Sequence, residues 1–342
     1  MQRGIAIFFL ILLLLSGCVI SPRRPISGGG GGGGGGGSTG GQLYISTSNS
    51  ILHFANAETV TGNVVPTGTI SGSSTGLSSP KRLLIDAAAN RLYVANQGGR
   101  SILVFDNVST LTGNISPTRV ISGSATTLSA PVDLALDTTN NLLYVADGNS
   151  ILVFASASTV NGNTAPVSTI NMGITVTGLL SDGANNQLYV ADSGDNAVDR
   201  LDSASTQSVV GIVGGAIAGA DTKLSSPSGL ALDGSNRLIV SNANTPVSIT
   251  AYPNASIATG DVLTAFTIGG SNSKLQSPQQ IVLNRNAGSG ELYVADPVAG
   301  SILIFTNIVT NNGNVGPART ISGANTGLAA NAINGLVLDN TR

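Results

Sequence analysis

An internal repeat of about 50 residues fills the chain from Gln42 onward, and no other feature limits the fold so strongly. Its most regular element is a short apolar segment of the LYVA type that is present six times. The copies are QLYIS (42–46), RLYVA (91–95), LLYVA (142–146), QLYVA (187–191), RLIVS (237–241) and ELYVA (291–295). Their shared Leu residues are separated by 49, 51, 45, 50 and 54 residues. A period of this size is typical of propeller blades and other repeat architectures.

Each copy is accompanied by three further elements that have the composition of β-strands. Segments of the SILVF type follow it at 50–54, 101–105, 150–154, 197–201, 247–252 and 301–305. Segments of the GNISPTRVISG type come next, at 62–72, 113–123, 162–172, 209–215, 262–270 and 313–323. Segments of the LALD type close the units, at 82–86, 133–137, 178–182, 229–233, 280–284 and 335–339. All are rich in apolar and β-branched residues and are bounded by turn-forming residues, so they predict strands.

Four strands per unit and six units predict an all-β fold, a six-bladed β-propeller with four antiparallel strands per blade. The order of the elements also predicts how the ring closes. The repeats begin with an LYVA-type strand, and the chain ends with GLVLD (335–339), the strand type that elsewhere precedes LYVA. We therefore expect the C-terminal strand to pair with the N-terminal blade, because this pairing leaves no open sheet edge. The propeller should span residues 42–342.

Units such as APVDLALDTTNNLLYVADGNSILVF (130–154) resemble NHL repeats and related six-bladed propellers, over nearly all of residues 42–342. The shared features are the LALD-like strand, the YVAD-like strand with a short turn after it, and a proline before the inner strand. These prolines are Pro80, Pro131, Pro227 and Pro278. The resemblance implies the fold. It leaves the activity open, because such propellers include binding scaffolds as well as a minority of hydrolases and lyases.

The first 17 residues carry Arg3, an apolar run from Ile5 to Leu15 and then small residues, a pattern typical of a signal peptide. The segment LSGC (15–18) resembles the lipobox of bacterial lipoproteins. In that family the Cys is diacylated and the preceding peptide is removed, which implies that Cys18 carries lipid. Cys18 is the only Cys, so a disulfide within the chain is excluded. The alternative is an ordinary signal peptide with an unrelated Cys.

Residues 18–41 include ten consecutive Gly at 28–37, which predict a flexible tether between a lipid anchor and the propeller. The resemblance to lipoproteins implies a place in the bacterial cell envelope. Val19, rather than Asp, follows Cys18 and favours the outer membrane in a Gram-negative source. Beyond residue 57 the chain has 12 basic and 17 acidic residues, a net charge of −5. This balance, without a basic stripe, argues against nucleic-acid binding.

Polar residues recur directly after the LYVA strands, in turns that we expect to surround one mouth of the central channel. They are Asn96, Asp147, Asp192, Asn242 and Asp296, and the least regular of these turns adds Asp195. Oxygen ligands of this kind suit a hard divalent cation. The resemblance to six-bladed lactonases and lyases implies Ca²⁺ or another divalent ion at such a rim. The alternative is that each side chain only stabilises its own turn.

The remaining chemically active residues favour structural roles. Ten of the 11 aromatic residues after the signal segment occupy repeated strand positions, which predicts packing between blades. His53 lies inside a strand without a nucleophile motif, so we expect it to be packed. The scattered basic residues on the mouth face are interpreted as solvating polar loops; they are Lys81, Arg82, Arg100, Lys223 and Lys274. We expect no unrepeated acid within the apolar cores of the inner strands.

These observations favour a lipid-anchored, monomeric propeller that binds a protein or peptide partner in the envelope without catalysis. The main alternative is a metal-assisted hydrolase or lyase with a divalent cation at the channel mouth. A third interpretation is a surface protein in which the propeller serves as a spacer. The sequence does not identify a ligand, and catalysis stays an open question at this point.

Overall fold

The computed structural model describes residues 40–208, 214–285 and 290–342. The predicted signal peptide, Cys18 and nearly all of the tether lie outside the described residues. Within them the fold is all-β, with six sheets of four antiparallel strands. This arrangement is a six-bladed β-propeller, so the predicted fold class is confirmed.

The strands follow the four predicted elements of each repeat. In the first half they are β1 (Gln42–Ser46), β2 (Ser50–Ala55), β3 (Gly68–Ser71), β4 (Pro80–Asp86), β5 (Arg91–Asn96), β6 (Ser101–Asp106), β7 (Arg119–Ile121), β8 (Pro131–Asp137), β9 (Leu142–Asp147), β10 (Ser150–Ala155), β11 (Ser168–Asn171) and β12 (Val176–Asp182). In the second half they are β13 (Gln187–Asp192), β14 (Ala197–Asp202), β15 (Gly214–Ile217), β16 (Pro227–Leu232), β17 (Leu238–Asn242), β18 (Ser248–Tyr252), β19 (Phe266–Gly269), β20 (Ile281–Asn284), β21 (Glu291–Asp296), β22 (Ser301–Thr306), β23 (Arg319–Ser322) and β24 (Gly335–Asp339).

Helical structure in the described residues is limited to short 3₁₀ turns. They are Ser73–Thr75, Gln97–Gly99, Val108–Thr110, Ser124–Thr126, Ala204–Thr206, Ala220–Thr222, Ser271–Ser273 and Ala324–Thr326. Five of them stand in the segments that lead from one blade to the inner strand of the next. The segment between β11 and β12 has none, and it is the shortest of these connections in the described chain.

Blade 1 consists of β24, β1, β2 and β3, and blades 2 to 6 follow as β4–β7, β8–β11, β12–β15, β16–β19 and β20–β23. The first strand named in each blade is its inner strand. β24 pairs with β1 along its full length, from Gly335 opposite Ser46 to Asp339 opposite Gln42. The predicted closure of the ring by the C-terminal strand is therefore confirmed.

The apolar runs of the repeat arise because each sheet is buried on both faces. In β5, Leu92 and Val94 pack towards blade 1, whereas Tyr93 and Ala95 pack towards blade 3. A strand of this kind needs an apolar side chain at every position, which explains why the LYVA pattern lacks strict alternation. The repeated aromatic residues are all buried, as predicted; they are Tyr44, Tyr93, Tyr144, Tyr189, Tyr252, Tyr293, Phe54, Phe105, Phe154 and Phe305.

The Gly-Asn pair of the third element links neighbouring blades at their outer edge. Gly113 donates its N–H to the carbonyl of Thr69 and accepts from Ser71, at 2.6 and 3.1 Å. Asn114 then accepts the backbone N–H of Ser74 through Oδ1 at 2.7 Å. Similar parallel bridges join four further pairs of blades in the described residues. The motif thus has a structural role in holding the ring together.

Two predictions about local structure need correction or comment. The outer strand of blade 4 was expected at 209–215, but the observed strand is Gly214–Ile217, and residues 209–213 are outside the described part. The observed position places Ile217 opposite Val198, as Ile70 stands opposite Ile51 in blade 1, so the apolar side chain enters the interface. His53 is packed, as predicted: it is 7% exposed and stacks on Tyr44 with ring centroids 4.8 Å apart.

Candidate functional site at the channel mouth

The six inner strands stand side by side around the central axis in the order β24, β4, β8, β12, β16 and β20. Four of them have a β-bulge at the end nearest the mouth, where the turns after the LYVA strands also lie. The bulges fall in Pro80–Leu83, Pro131–Asp133, Val176–Gly178 and Pro227–Leu230. A bulge redirects side chains locally, and here it places polar residues of the inner strands in the channel.

Arg82 of blade 2 crosses this part of the channel. Its Nη1 donates to Oδ2 of Asp133 in blade 3 at 3.0 Å and to the carbonyl of Ser228 in blade 5 at 2.9 Å. Its Nη2 donates to the hydroxyl of the same Ser228. Blades 2 and 5 face each other across a six-bladed ring, so the guanidinium spans the channel. The Ser228 hydroxyl donates onward to Gln279 of blade 6 at 2.8 Å.

Asp133 is 2% exposed and is bonded on both carboxylate oxygens. Besides Arg82, Oδ2 accepts the backbone N–H of Leu179 in blade 4 at 2.8 Å, and Oδ1 accepts that of Leu134. Burial raises the pKa of Asp133, while Arg82 and the two N–H groups oppose this rise by favouring the carboxylate. Arg82 and Asp133 therefore form a buried ion pair whose charges depend on each other.

Glycine makes room for this pair on the other inner strands. A Cβ on Gly178 would lie 2.0 Å from the Ser228 carbonyl and 3.0 Å from Nη1 of Arg82. A Cβ on Gly335 would lie 2.6 Å from Gln280 and 2.8 Å from the Cα of Arg82. Large polar residues and glycines thus share one level of the channel, and together they close it.

A cavity of about 450 Å³ opens above this level. It is lined by residues that directly follow the turn positions, by the starts of the inner strands and by the last connecting segment. These include Gln97, Ser193, Ala243, Pro297, Lys81, Thr177, Gln279, Asn331 and Asn334. Below the Arg82 level, a second cavity of about 290 Å³ is lined mainly by Leu, Ile and Val side chains of the inner strands. The channel therefore has a polar mouth, a closed polar floor and an apolar lower chamber.

The structure places the five predicted rim residues at equivalent positions, each in its own blade, with Asp195 in the turn after Asp192. Asp147 binds the connection from blade 2 to blade 3: it accepts from Ser129 N, Ser129 Oγ and Ala130 N at 2.6, 2.8 and 2.6 Å. Asp296 accepts from the backbone of Gln276 and Ser277, at 2.7 and 3.1 Å for the shortest bonds. Both carboxylates thus hold the segment that enters their own blade.

The two asparagines have the same role. Asn96 accepts from Ser78 N at 2.7 Å and donates to Gly76 and Ser101. Asn242 accepts from Ser225 N at 3.1 Å and donates to the hydroxyls of Ser248 and Thr250. At the other end of the inner strands, the repeated acids bond their own turns; Asp137, for example, accepts from Thr139 and Asn140.

Asp192 is different, because its carboxylate accepts only from Gly194 and Asp195 of its own turn in the described residues. Close to it stands Asp199 on β14, which is 1% exposed and has no hydrogen-bond partner on either carboxylate oxygen. Burial, together with the negative charges of Asp192 and Asp195, raises the pKa of Asp199 to about 7. Burial also raises the pKa of Asp192.

In the part of the chain that the structure describes, no three His, Cys, Asp or Glu side chains form a group able to hold a metal ion. Calcium binding by the rim of Asn96, Asp147, Asp192, Asp195, Asn242 and Asp296 stays a prediction. The same described ranges contain no helix with the length and apolar character of a membrane span.

Sequence reasoning missed three buried charges. Arg82 was interpreted as a solvated loop residue, but it is 6% exposed and lies in the channel, so that interpretation is wrong. Asp133 was overlooked because it precedes the apolar part of its strand. Asp199 belongs to the irregular, acid-rich stretch DSGDNAVDRLD (192–202), and only its burial was not predicted. Alignment of the six copies contains the signal. Arg82 and Asp133 share one repeat position at which the other four blades have Gly or Gln, and Asp199 stands where the other blades have Leu or Thr.

No protein-family model matches the sequence, and no curated protein matches it either. Solved structures do match, at low identity. A chain from a nidogen/laminin complex has a TM-score of 0.60 at 15% identity, over 87% of this chain and 98% of that one. A protein of unknown function from Bacteroides caccae has a TM-score of 0.59 at 10% identity, over 87% and 98%. A functionally unknown protein from Desulfotomaculum acetoxidans has a TM-score of 0.54 at 14% identity, over 80% and 78%. These similarities support the propeller fold.

Proposed function

We propose that this chain is a lipid-anchored envelope propeller with NHL-like repeats that binds a protein or peptide partner at its channel mouth, without catalysis. The observation that carries the proposal is the closed basin above Arg82. A cavity of about 450 Å³ lies within the usual size range of ligand sites, roughly 300–1,000 Å³. Its closed floor allows a group to enter and be held there without passing through the ring.

The chemistry of the lining favours a peptide. Gln97, Gln279, Asn331 and Asn334 offer amide groups, and Thr177 offers a hydroxyl. Amide side chains present both donors and acceptors, which match the carbonyl and N–H groups of a peptide backbone. One structurally similar chain comes from a complex of nidogen with laminin, so this fold is also found in a protein–protein complex.

The lining also supports binding rather than acid–base chemistry. Lys81 and Arg82 are the ionisable residues among the lining residues, and Arg82 is already bonded to Asp133 and Ser228. The buried acid of this level, Asp133, has its oxygens occupied by Arg82, Leu179 and Leu134. A hydrolase or lyase that uses a metal ion at the mouth would need free carboxylates converging there.

Site-specific photo-crosslinking in cells tests the proposed binding site. A photoreactive residue at Gln97, in the mouth, should capture a discrete envelope protein or peptide. The control places the same residue at Val65, which is 72% exposed and lies outside the mouth lining. Equal products from both positions, or none from Gln97, would contradict binding at the mouth.

The lipid anchor has an independent test. Cys18→Ser should leave the signal peptide uncleaved or release the protein from the membrane fraction, because the proposed acylation site is lost. Labelling with a fatty-acid analogue should disappear in the same variant. Unchanged fractionation and labelling would remove the anchor from the proposal without affecting the binding site.

A further inference from the structure

Blade 4 departs from the repeat at two places that meet at the blade 3–blade 4 interface. The first is the connection into the blade. Nine residues lie between Ile121 and Pro131 in the connection from blade 2 to blade 3, but only five lie between Ile170 and Val176 in the next connection. The shortened segment lacks the 3₁₀ turn that the other connections contain. It therefore lacks the N–H groups that, in blades 2, 3, 5 and 6, bond the side-chain oxygen at the position equivalent to Asp192.

The second departure is Asp199 itself. The residue that pairs with the Val or Ile of LYVA on the next strand is Leu in four blades: Leu52, Leu103, Leu152 and Leu303. In blade 5 it is Thr250, which is hydrogen-bonded by Asn242 and Tyr252. In blade 4 it is Asp199, opposite Val190, and neither carboxylate oxygen has a partner.

The strand register places Asp192 and Asp199 on the same face of the sheet. Val190 pairs with Asp199 and Asp192 pairs with Ala197, so the two acids are diagonal neighbours. Diagonal neighbours across two strands lie roughly 7–8 Å apart at Cα, within the combined reach of two carboxylates. This face is directed towards blade 3, because Val190 packs against Ile151 and Ile170.

Among the described residues, no cationic side chain forms an ion pair with Asp192 or Asp199. Arg200 is the next residue along β14, but it points to the opposite face, where it binds Asp202, Gly214 and Ala258. Asp199 takes part in none of the six ion pairs of the described residues. A buried carboxylate without a partner is costly, and such groups in proteins are usually paired or bind metal.

We propose that Asp199 and Asp192 bind a hard cation such as Ca²⁺ at the interface of blades 3 and 4. The N–H groups of Gly194 and Asp195, in the exposed turn after β13, orient the Asp192 carboxylate. The remaining ligands would be water and carbonyl oxygens, as in other calcium sites. Asp199 lies between blades 3 and 4, behind the rim position of Asp192, and the ion would fix the blade that has lost its usual connection.

Calcium binding to the chelator-treated full chain tests this proposal, by calorimetric titration and by thermal unfolding at matched ionic strength. Wild type should bind one Ca²⁺, and its Tm should rise with Ca²⁺ concentration. Asp199→Leu, which restores the residue of the other blades, should melt above wild type in chelator and lose the Ca²⁺ response. Asp192→Asn should weaken binding by about tenfold or more, since Ca²⁺ affinity depends on ligand charge.

The matched control is Asp296→Asn, which changes the acid at the equivalent position of blade 6. That carboxylate is already occupied by the N–H groups of Gln276 and Ser277, so Ca²⁺ affinity should stay within about twofold of wild type. The proposal is overturned if wild type neither binds nor is stabilised at about 10 mM Ca²⁺, above the range known for weak extracellular modules. An equal Ca²⁺ response in Asp199→Leu and wild type would overturn it as well.

Discussion

Replacement of Arg82 by methionine should destabilise the propeller more than the loss of any exposed ion pair. Arg82→Met retains most of the apolar stem but removes the guanidinium that bonds Asp133 and Ser228. The Asp133 carboxylate, which is 2% exposed in the wild type, would then keep only two backbone N–H partners. Removing one member of a buried ion pair costs about 3–5 kcal/mol, because the other charge stays buried.

At about 2 °C per kcal/mol for a domain of this size, the expected fall in Tm is about 6–10 °C. Asp133→Asn in the same chain should recover about half of this loss or more, because it removes the uncompensated charge and keeps an oxygen for one of the two backbone N–H groups of Leu179 and Leu134. The critical observation is whether the double variant melts above or below the Arg82→Met variant. Two independent sites would instead show losses that add.

Thermal unfolding followed by circular dichroism, for the two single variants and the double variant, measures the coupling. Arg91→Met is the matched control, since its pair with Asp106 is half-buried, with side chains 16% and 29% exposed. Ion pairs that remain accessible to solvent contribute about 0–1 kcal/mol. If Arg82→Met melts within about 2 °C of wild type, the Arg82–Asp133 pair does not hold the floor of the channel. The closed basin described for the mouth would then be refuted.

Three further outcomes follow from the same structure. Deleting residues 333–342 removes β24 and should prevent cooperative unfolding of the whole domain. The buried strand contributes free energy comparable to the total free energy of unfolding of a typical domain, about 5–15 kcal/mol. A truncated chain that melts like wild type would contradict ring closure. Gly178→Ala should lower stability by about 1–3 kcal/mol through the clash with Ser228, whereas Gly234→Ala, with no atom within 4 Å, should be nearly neutral in urea unfolding. Burial lowers the pKa of His53, so protonation favours the unfolded state and stability should fall as pH drops below about 6.5. His53→Val should show a smaller change of Tm between pH 7 and pH 5. Equal slopes of Tm against pH in the variant and the wild type would refute this.

The fold could be predicted from the sequence because every blade buries both faces of its sheet. Burial on two sides demands an apolar residue at nearly every strand position, so the same LYVA and SILVF patterns recur wherever a blade packs between two others. The closure of the ring followed from the order of these patterns alone. Prediction failed at the outer strand of blade 4, where the Gly-Asn pair that marks this element in most other blades is missing.

The candidate site could be predicted less well from the sequence, since bulges decide which side chains enter the channel. Arg82 directly follows Lys81 at the start of β4, and both look like loop residues in the sequence. The bulge between Pro80 and Leu83 turns Arg82 into the channel, where Gly178 and Gly335 leave space for it. Neither the bulge nor the glycines on other blades can be linked to Arg82 without the three-dimensional arrangement.

The six blades provide an internal comparison that separates structural acids from candidate ligands. Asp147 and Asp192 stand at the same position and follow the same YVAD sequence, yet Asp147 receives three hydrogen bonds from the connection before it. The connection before Asp192 is shorter and gives none in the described residues. If the shortening of this connection were neutral, position 199 should keep the leucine found in most other blades. An unpaired carboxylate buried there would only destabilise the fold. The presence of Asp199 beside the lost connection is better explained by a bound cation that needs both changes.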